Sequence, residues 1–238
     1  MTDRRREILL AALAIADERG LPAVSMRAVA ERVGVSAMAL YPYVGSKDAL
    51  LDGLVDVMLA ELLDIDRPAA DPADRLTALA HALRALAHRH PGAFPLLLAR
   101  PSVTPDAVRT TDAVYQALLD AGVPASQVPR IERMLATFVL GFAVSEVNGR
   151  FSAGTADPRA RRAHFPGGEG LAHHRLAGHL DEPVDWDAEF TADLADLVIL
   201  VEQIGRPDTP GDAAADRRVR PARRAPAPAI RRAPGRSG

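Results

Sequence analysis

An all-α fold is predicted by three features of this 238-residue chain. Apolar residues recur at i, i+3, i+4 and i+7 over most of its length, as on one face of a helix. No stretch shows the period-two alternation of a strand, and Ser, Asp and Thr residues stand where helix N-caps belong. Hydrophobic residues make up 48% and charged residues 25%, values that exclude wholesale disorder, and the length suffices to bury a sizeable core.

The elements follow in order. Ile8, Leu9, Ala12, Leu13 and Ala16 form the stripe of a first helix, with Gly20 at its C′ position. Ser25 is placed to cap a second helix with Met26, Val29, Ala30 and Val33 inward, and Gly34 stops it. Ser36 is placed to cap a third, short segment containing Leu40 and Val44. Pro42 lies inside that segment, and its missing N–H is expected to loosen or end the helix near Tyr41. Ser46 caps a longer helix carrying Leu50, Leu51, Leu54, Val57, Met58 and Leu62 on one face.

Asp71-Pro72 and Thr104-Pro105 are each an N-cap followed by proline at the first helical position. The first opens a helix with Leu76, Leu79, Ala80, Leu83, Leu86 and Ala87 inward, ended by Pro91. The second opens one with Val108, Tyr115, Leu118 and Leu119, closed by Gly122. Residues 126–150 read as a long helix, apolar nearly all round from 134 to 144, which must be covered on more than one side. Residues 152–185 are rich in Gly, Pro and His and predict a loop with a short helix near 169–180. A last helix over 187–204 presents Phe190, Leu194, Leu197, Val198, Val201 and Ile204. From Arg206 onward Pro, Ala and Arg dominate without an apolar face, so 206–238 is expected to be a disordered tail.

Charge divides the chain more sharply than its net of −2 suggests. Residues 1–47 hold 7 basic and 5 acidic side chains, residues 48–210 hold 14 and 24, and residues 211–238 hold 8 and 2. A mildly basic start ahead of an acidic body is the pattern of an anion-binding module joined to something else. Cysteine is absent, which excludes disulfides, thiolate metal sites and cysteine nucleophiles, and suits a cytoplasmic protein. The longest apolar stretch, broken only by Thr137 and Gly141, is far too short for a membrane span, and no apolar signal segment follows the basic N-terminus.

Of the seven histidines, His164, His173, His174 and His179 share the long loop, and His81 and His88 lie seven apart on one helical face. None has the tight spacing of a metal motif, so no metal site is expected. Neither a Gly-rich phosphate loop nor a Gly-x-Ser-x-Gly is present, and no cofactor or catalytic residue is assigned.

The second helix, the turn at Gly34 and the short third segment have the dimensions of a helix-turn-helix. Ala30, Gly34-Val35-Ser36, Leu40-Tyr41, Lys47 and Leu50-Leu51-Asp52 carry the detail. On these residues the segment closely resembles the DNA-binding region of the TetR family of bacterial one-component regulators, over about residues 6–58. Ser25-Met26-Arg27, Met38-Ala39-Leu40-Tyr41 and Val44 are most similar to its tetracycline-repressor branch.

The resemblance implies a helix-turn-helix domain over 1–47, a helical effector-binding and dimerisation domain over 48–205, and a regulator, expected to be a repressor, of a palindromic double-stranded DNA operator. Ser25 would cap the second helix and hold a phosphate, and Arg27 would reach a phosphate or a guanine edge. Ser36, Ala37, Met38 and Ala39 would face base edges, and Tyr41, Tyr43 and Lys47 would anchor to the DNA backbone. It further implies a homodimer joined through the helices over 126–150 and 187–204, and a small-molecule effector held among the helices starting near 72, 105 and 126. Leu83, Leu86, Tyr115, Leu118, Met134, Phe138 and Phe142 are the expected lining, with Tyr115 orienting the ligand and Glu146 facing a cationic or hydroxylated group. The competing reading is a helical small-molecule or metal carrier with a vestigial helix-turn-helix.

Overall fold

The predicted N-caps set where the helices start. The computed structural model describes residues 3–65, 71–100, 104–151 and 172–206. Helix α1 (Asp3–Arg19) is followed by a 3-10 turn (Leu21–Ala23) and by α2 (Met26–Arg32). A second 3-10 turn (Ala37–Leu40) runs directly into α3 (Tyr41–Val44), and α4 (Lys47–Ile65) comes next. Then come α5 (Pro72–Arg89), α6 (Leu96–Ala99), α7 (Pro105–Asp120), α8 (Val128–Val147), α9 (Ala172–Arg175), α10 (Ala177–Leu180) and α11 (Trp186–Gly205). Among the described residues there is no strand, and no helix is long and apolar enough to cross a membrane. The tail expected over 206–238 and His164 fall outside the described residues, save Arg206.

Ser25 Oγ accepts from the Ala28 N–H at 3.1 Å, Ser46 Oγ from Ala49 at 3.1 Å, Asp71 Oδ1 from Ala73 at 2.8 Å and Thr104 Oγ1 from Ala107 at 3.4 Å. Each side chain satisfies an amide that the first helical turn leaves without a partner. Ser36 is the exception: its side chain makes no cap bond. The chain enters a 3-10 turn there, and the Ser36 carbonyl takes the Ala39 N–H at 3.0 Å, so the hydroxyl is not needed. Helix α8 starts at Val128 rather than 126, because Pro124 first closes a separate turn with Gln127 (2.7 Å).

One continuous core joins the N-terminal elements to those that follow. It contains Ile8, Leu9 and Leu13 of α1, Val29 and Ala30 of α2, Leu40 and Val44, Leu50, Leu54 and Met58 of α4, and Leu86, Phe94 and Ala143 beyond. A second cluster gathers Leu76, Leu118, Ile131, Leu135 and Val201, and a third Ala80, Val139, Phe190 and Leu194. Helix α4 is therefore packed on both sides, one face on α1 and the other toward α5 and α7.

Two polar assemblies lock this arrangement. His90, just past α5, faces Asp17 of α1 through Nδ1 (2.7 Å) and Glu61 of α4 through Nε2 (3.3 Å). Beside it Gly92 presses on the end of α1 so closely that a Cβ there would lie 1.9 Å from the Ala16 carbonyl oxygen. Within α5, Arg84 is 8% exposed and donates from Nε to Glu146 at 2.8 Å, while its Nη2 reaches both Glu146 (2.5 Å) and Asp187 (2.6 Å). Its guanidinium lies 5.0 Å from the Phe190 ring centroid and 5.6 Å from that of Phe142. The Arg84 hydrogen bonds hold the Glu146 carboxyl below the usual carboxylate range, aided by His88 at 3.0 Å. One buried cation thus ties α5, α8 and the start of α11 together, with its partners in the bidentate geometry that best offsets desolvation.

Two outcomes follow. Gly92→Ala must push the 90–95 turn off α1, an overpacking expected to cost roughly 1–3 kcal/mol in denaturant unfolding; an unchanged midpoint would show that the contact gives way freely. Because the Glu146 pKa is lowered on folding, its stabilisation is present above the ordinary carboxylate range and fades as pH falls through the folded value. Glu146→Gln should cost about 1.5–3 kcal/mol at neutral pH and flatten the acid limb of the melting-temperature profile; an acid limb identical to that of the parent protein would refute the assignment.

Candidate nucleic-acid interface and ligand cavity

Burial of Val29, Ala30, Leu40 and Val44 against α1 turns the opposite side of α2 and of residues 36–43 outward. The bend between them needs Gly34, which sits at φ 72°, where a side chain would be strained. The Val35 N–H closes the turn onto the Ala30 carbonyl at 2.9 Å. On the outward side Met38 is 75% exposed, Tyr41 44% and Tyr43 42%. Arg27, Ser36, Ala39 and Lys47 are also exposed, and Ser25 and Ala37 partly so. All nine expected DNA-facing residues are therefore exposed or partly exposed. The Ser36 hydroxyl, not spent on a cap, joins them.

Pro42 does not end the segment near Tyr41. It occupies the first turn of α3, where an amide would have no intrahelical partner, and the Gly45 N–H closes the turn onto the Tyr41 carbonyl at 2.8 Å. Tyr43 is thereby held on an ordered turn.

The cations near this surface fall into two sets. Arg32 is gripped by Glu18 through two bonds of 2.7 and 2.6 Å, and Arg4 by Glu7 at 2.6 Å. Arg27 and Lys47 pair with no acidic group among the described residues, and neither does the exposed Arg6. Arg6 carries no motif signal beyond its place in the run Arg4-Arg5-Arg6, opposite the apolar stripe of α1.

The cavity lies on the other side of α4. It measures about 260 Å³ and is bounded by Val55 and Leu59 of α4, Leu79 and Leu83 of α5, Thr111 and Val114 of α7, Glu132 and Val139 of α8, Leu194 of α11, and Leu97 and Arg100. The three expected helices do form walls, but with other residues. Of the eight expected side chains Leu83 lines it. Leu86 and Leu118 are fully buried in the first and second cores. Tyr115 lines a shallow depression with Val108 and Asp112, and Met134 packs on the second cluster.

Phe138 stacks on Phe190 at 5.9 Å between ring centroids and Phe142 meets it at a tilt at 5.0 Å, with Phe151 and Trp186 packed on Phe142 beyond. Glu146 is committed to Arg84. The reason is the helix that is apolar all round: its Leu135–Ala136–Val139 face turns to the cavity while Phe138 and Phe142, about 100° away per residue step, turn to α11.

Among the described residues two charged groups line the cavity. Arg100 donates to Asp52 (2.7 Å) and Asp48 (2.7 Å) of α4, and those bonds raise its pKa further. Glu132 has no partner among the described residues, and burial pushes its carboxyl up against a weaker pull from Arg133. His81 meets the Phe190 ring edge-on at 5.2 Å, and among the described residues no three His, Asp or Glu side chains converge as a metal site.

Comparison with known proteins accords with this geometry. Residues 8–54 match the model of bacterial regulatory proteins of the tetR family, and residues 76–165 match that of the tetracyclin repressor-like C-terminal domain. An HTH-type transcriptional regulator of Saccharopolyspora erythraea is 30% identical over 77% of this chain and 78% of its own. The class A tetracycline repressor protein from transposon 1721, of Escherichia coli, is 32% identical over 62% and 68%. Apo ActR from Streptomyces coelicolor shares the fold with a TM-score of 0.73 at 23% identity, over 84% of this chain and 95% of that one. ActR has also been solved in complex with actinorhodin, with a TM-score of 0.71 at 24% identity over 87% and 99%. On the helix-turn-helix, the all-α fold and these matches together, the chain belongs to the TetR family of bacterial transcriptional regulators.

Proposed function

We propose that this protein represses transcription as a homodimer on a roughly palindromic operator and leaves it when a small molecule fills the α4–α8 cavity. The observation that carries this reading is the double duty of α4. It begins with exposed, unpaired Lys47 at the DNA-facing surface, and eight residues on, about 12 Å along its axis, Val55 forms the cavity wall. A ligand that favours a different tilt of α4 shifts the pair of recognition segments out of register, through its differential affinity for the two conformers.

The DNA-binding module in this reading is residues 1–47 and the effector module 48–205. Arg27 reads or clamps from the start of α2, and Ser36, Ala37, Met38 and Ala39 lie against base edges. Ser25, Tyr41, Tyr43 and Lys47 hold the backbone. With Ala37, Met38 and Ala39 offering no side-chain hydrogen bonds, readout rests on thymine methyls, Arg27 and groove shape. Dimerisation is assigned to the uncovered faces of α8 and α11, where Ile199 is 50% exposed and a Cβ at Gly141 would meet nothing within 4 Å. Two segments one DNA turn apart, ~34–36 Å, then meet successive major grooves. No catalytic step is assigned, and the site of action is where the DNA is, the cytoplasm.

The test is a mobility-shift series on DNA flanking the gene. Lys47→Ala should weaken binding about equally on all sequences and shrink the salt slope by about 1 per protomer, whereas Arg27→Ala should change sequence preference. Unchanged affinity and salt slope in the Lys47 variant would remove the interface assignment. The clasp from the cavity makes a separate prediction. Arg100→Gln should keep operator binding within a few-fold while reducing ligand-induced release; full release in that variant would place the coupling elsewhere.

A further inference from the structure

Of the two charged side chains that line the cavity among the described residues, one is matched by opposite charges and the other is not. Arg100 is spent on Asp48 and Asp52, and the carboxylate expected to meet a ligand, Glu146, is spent on Arg84. Glu132 lies in the wall opposite, among Leu135, Ala136 and Val139, and no donor among the described residues reaches it. A carboxylate in an apolar wall without a partner costs free energy in the empty protein, which is why burial raises its pKa. A bound cation regains that cost, because the same low-dielectric wall strengthens the ion pair once both charges are desolvated and hydrogen-bonded.

We infer that Glu132 makes the cavity selective for compact organic cations, an apolar body carrying a protonated amine, over neutral and anionic molecules of the same shape. The inference rests on the cavity being the effector site and adds the chemical class of the effector. The volume of about 260 Å³ lies just below the ~300–1,000 Å³ range of small-molecule pockets, which limits the ligand to a compact one. Leu83, Val139 and Leu194 supply the apolar body's contacts, and Thr111 offers a hydroxyl for a second polar atom of the ligand. An anion would have to take Arg100 away from two carboxylates that already hold it, so the wall discriminates against the opposite charge as well.

The test uses the full chain and one carbon skeleton with three head groups. The uncharged dye phenylnaphthylamine reports cavity occupancy by its fluorescence, and phenylbutylamine, phenylbutanol and phenylbutyrate compete for it. The parent protein should be emptied of dye by the amine at a concentration at least about tenfold lower than by the alcohol or the acid, which is about 1.4 kcal/mol. Glu132→Gln should bind the dye as before and lose that preference, and Glu132→Asp should keep part of it. Because the variants remove or shorten a partly buried, unpaired carboxylate, their melting temperatures should not fall. Equal competition by all three compounds, a preference for the acid, or an amine preference surviving in Glu132→Gln would overturn the cation assignment while leaving the cavity in place. Failure of the parent protein to bind any of the four compounds would overturn the cavity reading along with it.

Discussion

The structure depends on the double packing of α4. Leu50, Leu54 and Met58 sit in the same core as Ile8, Leu9 and Leu13 of α1, while Val55, Leu59 and Leu62 face the cavity. A helix packed on both sides cannot tilt without disturbing one of its contacts, because close-packed interiors resist gradual deformation. Arg100 reinforces the constraint from the cavity side by holding Asp48 and Asp52, the residues immediately after Lys47 on the first turns of the helix. The His90 bridge to Asp17 and Glu61 and the close approach of Gly92 to α1 add a second attachment one plane away. In the proposed mechanism, movement of the N-terminal elements is therefore channelled through α4 rather than spread over the molecule.

The distribution of paired and unpaired charge separates scaffold from site. Arg84, Arg100 and Arg32 are each gripped by carboxylates of another helix and hold the helices together, while Arg4 pairs with Glu7 within α1. Arg27, Lys47 and Arg6 on the outward face of the N-terminal elements, and Glu132 in the cavity, have no such partner among the described residues. Solvated surface cations without a partner cost little free energy. The half-buried Glu132 is different, since a folded protein retains a desolvated, unpaired carboxylate only at some cost in stability. Such local inconsistencies belong at functional positions.

Much of the fold was legible in the sequence because its signals are local. Ser25, Ser46, Asp71 and Thr104 cap as their spacing predicts, and Gly34 turns the chain with positive φ. The exposure of the residues proposed to face DNA was legible for the same reason: once Leu40 and Val44 point inward, their neighbours point out. Ser36 and Pro42 behaved differently because a 3-10 turn preceding α3 changes which amides need partners. The cavity wall was far less legible. Periodicity identifies residues that are buried but not what they are buried against, and α8 has apolar side chains on nearly every side. Choosing Phe138 and Phe142 instead of Leu135, Ala136 and Val139 is an error of about one residue in rotation. The Arg84–Glu146 pair, which removes Glu146 from the cavity, joins positions 62 apart in the chain and leaves no local trace.

The central claim is that operator and cavity are coupled through α4, and coupling between two sites is reciprocal in free energy. The most direct measurement is therefore a pair of titrations on the full chain: operator affinity with and without saturating phenylnaphthylamine, and dye affinity with and without saturating operator. The account predicts that each weakens the other by the same factor, at least about fivefold, the lower end of typical allosteric couplings. Two affinities that ignore each other, with dye bound equally well to the free and the DNA-bound protein, would contradict it.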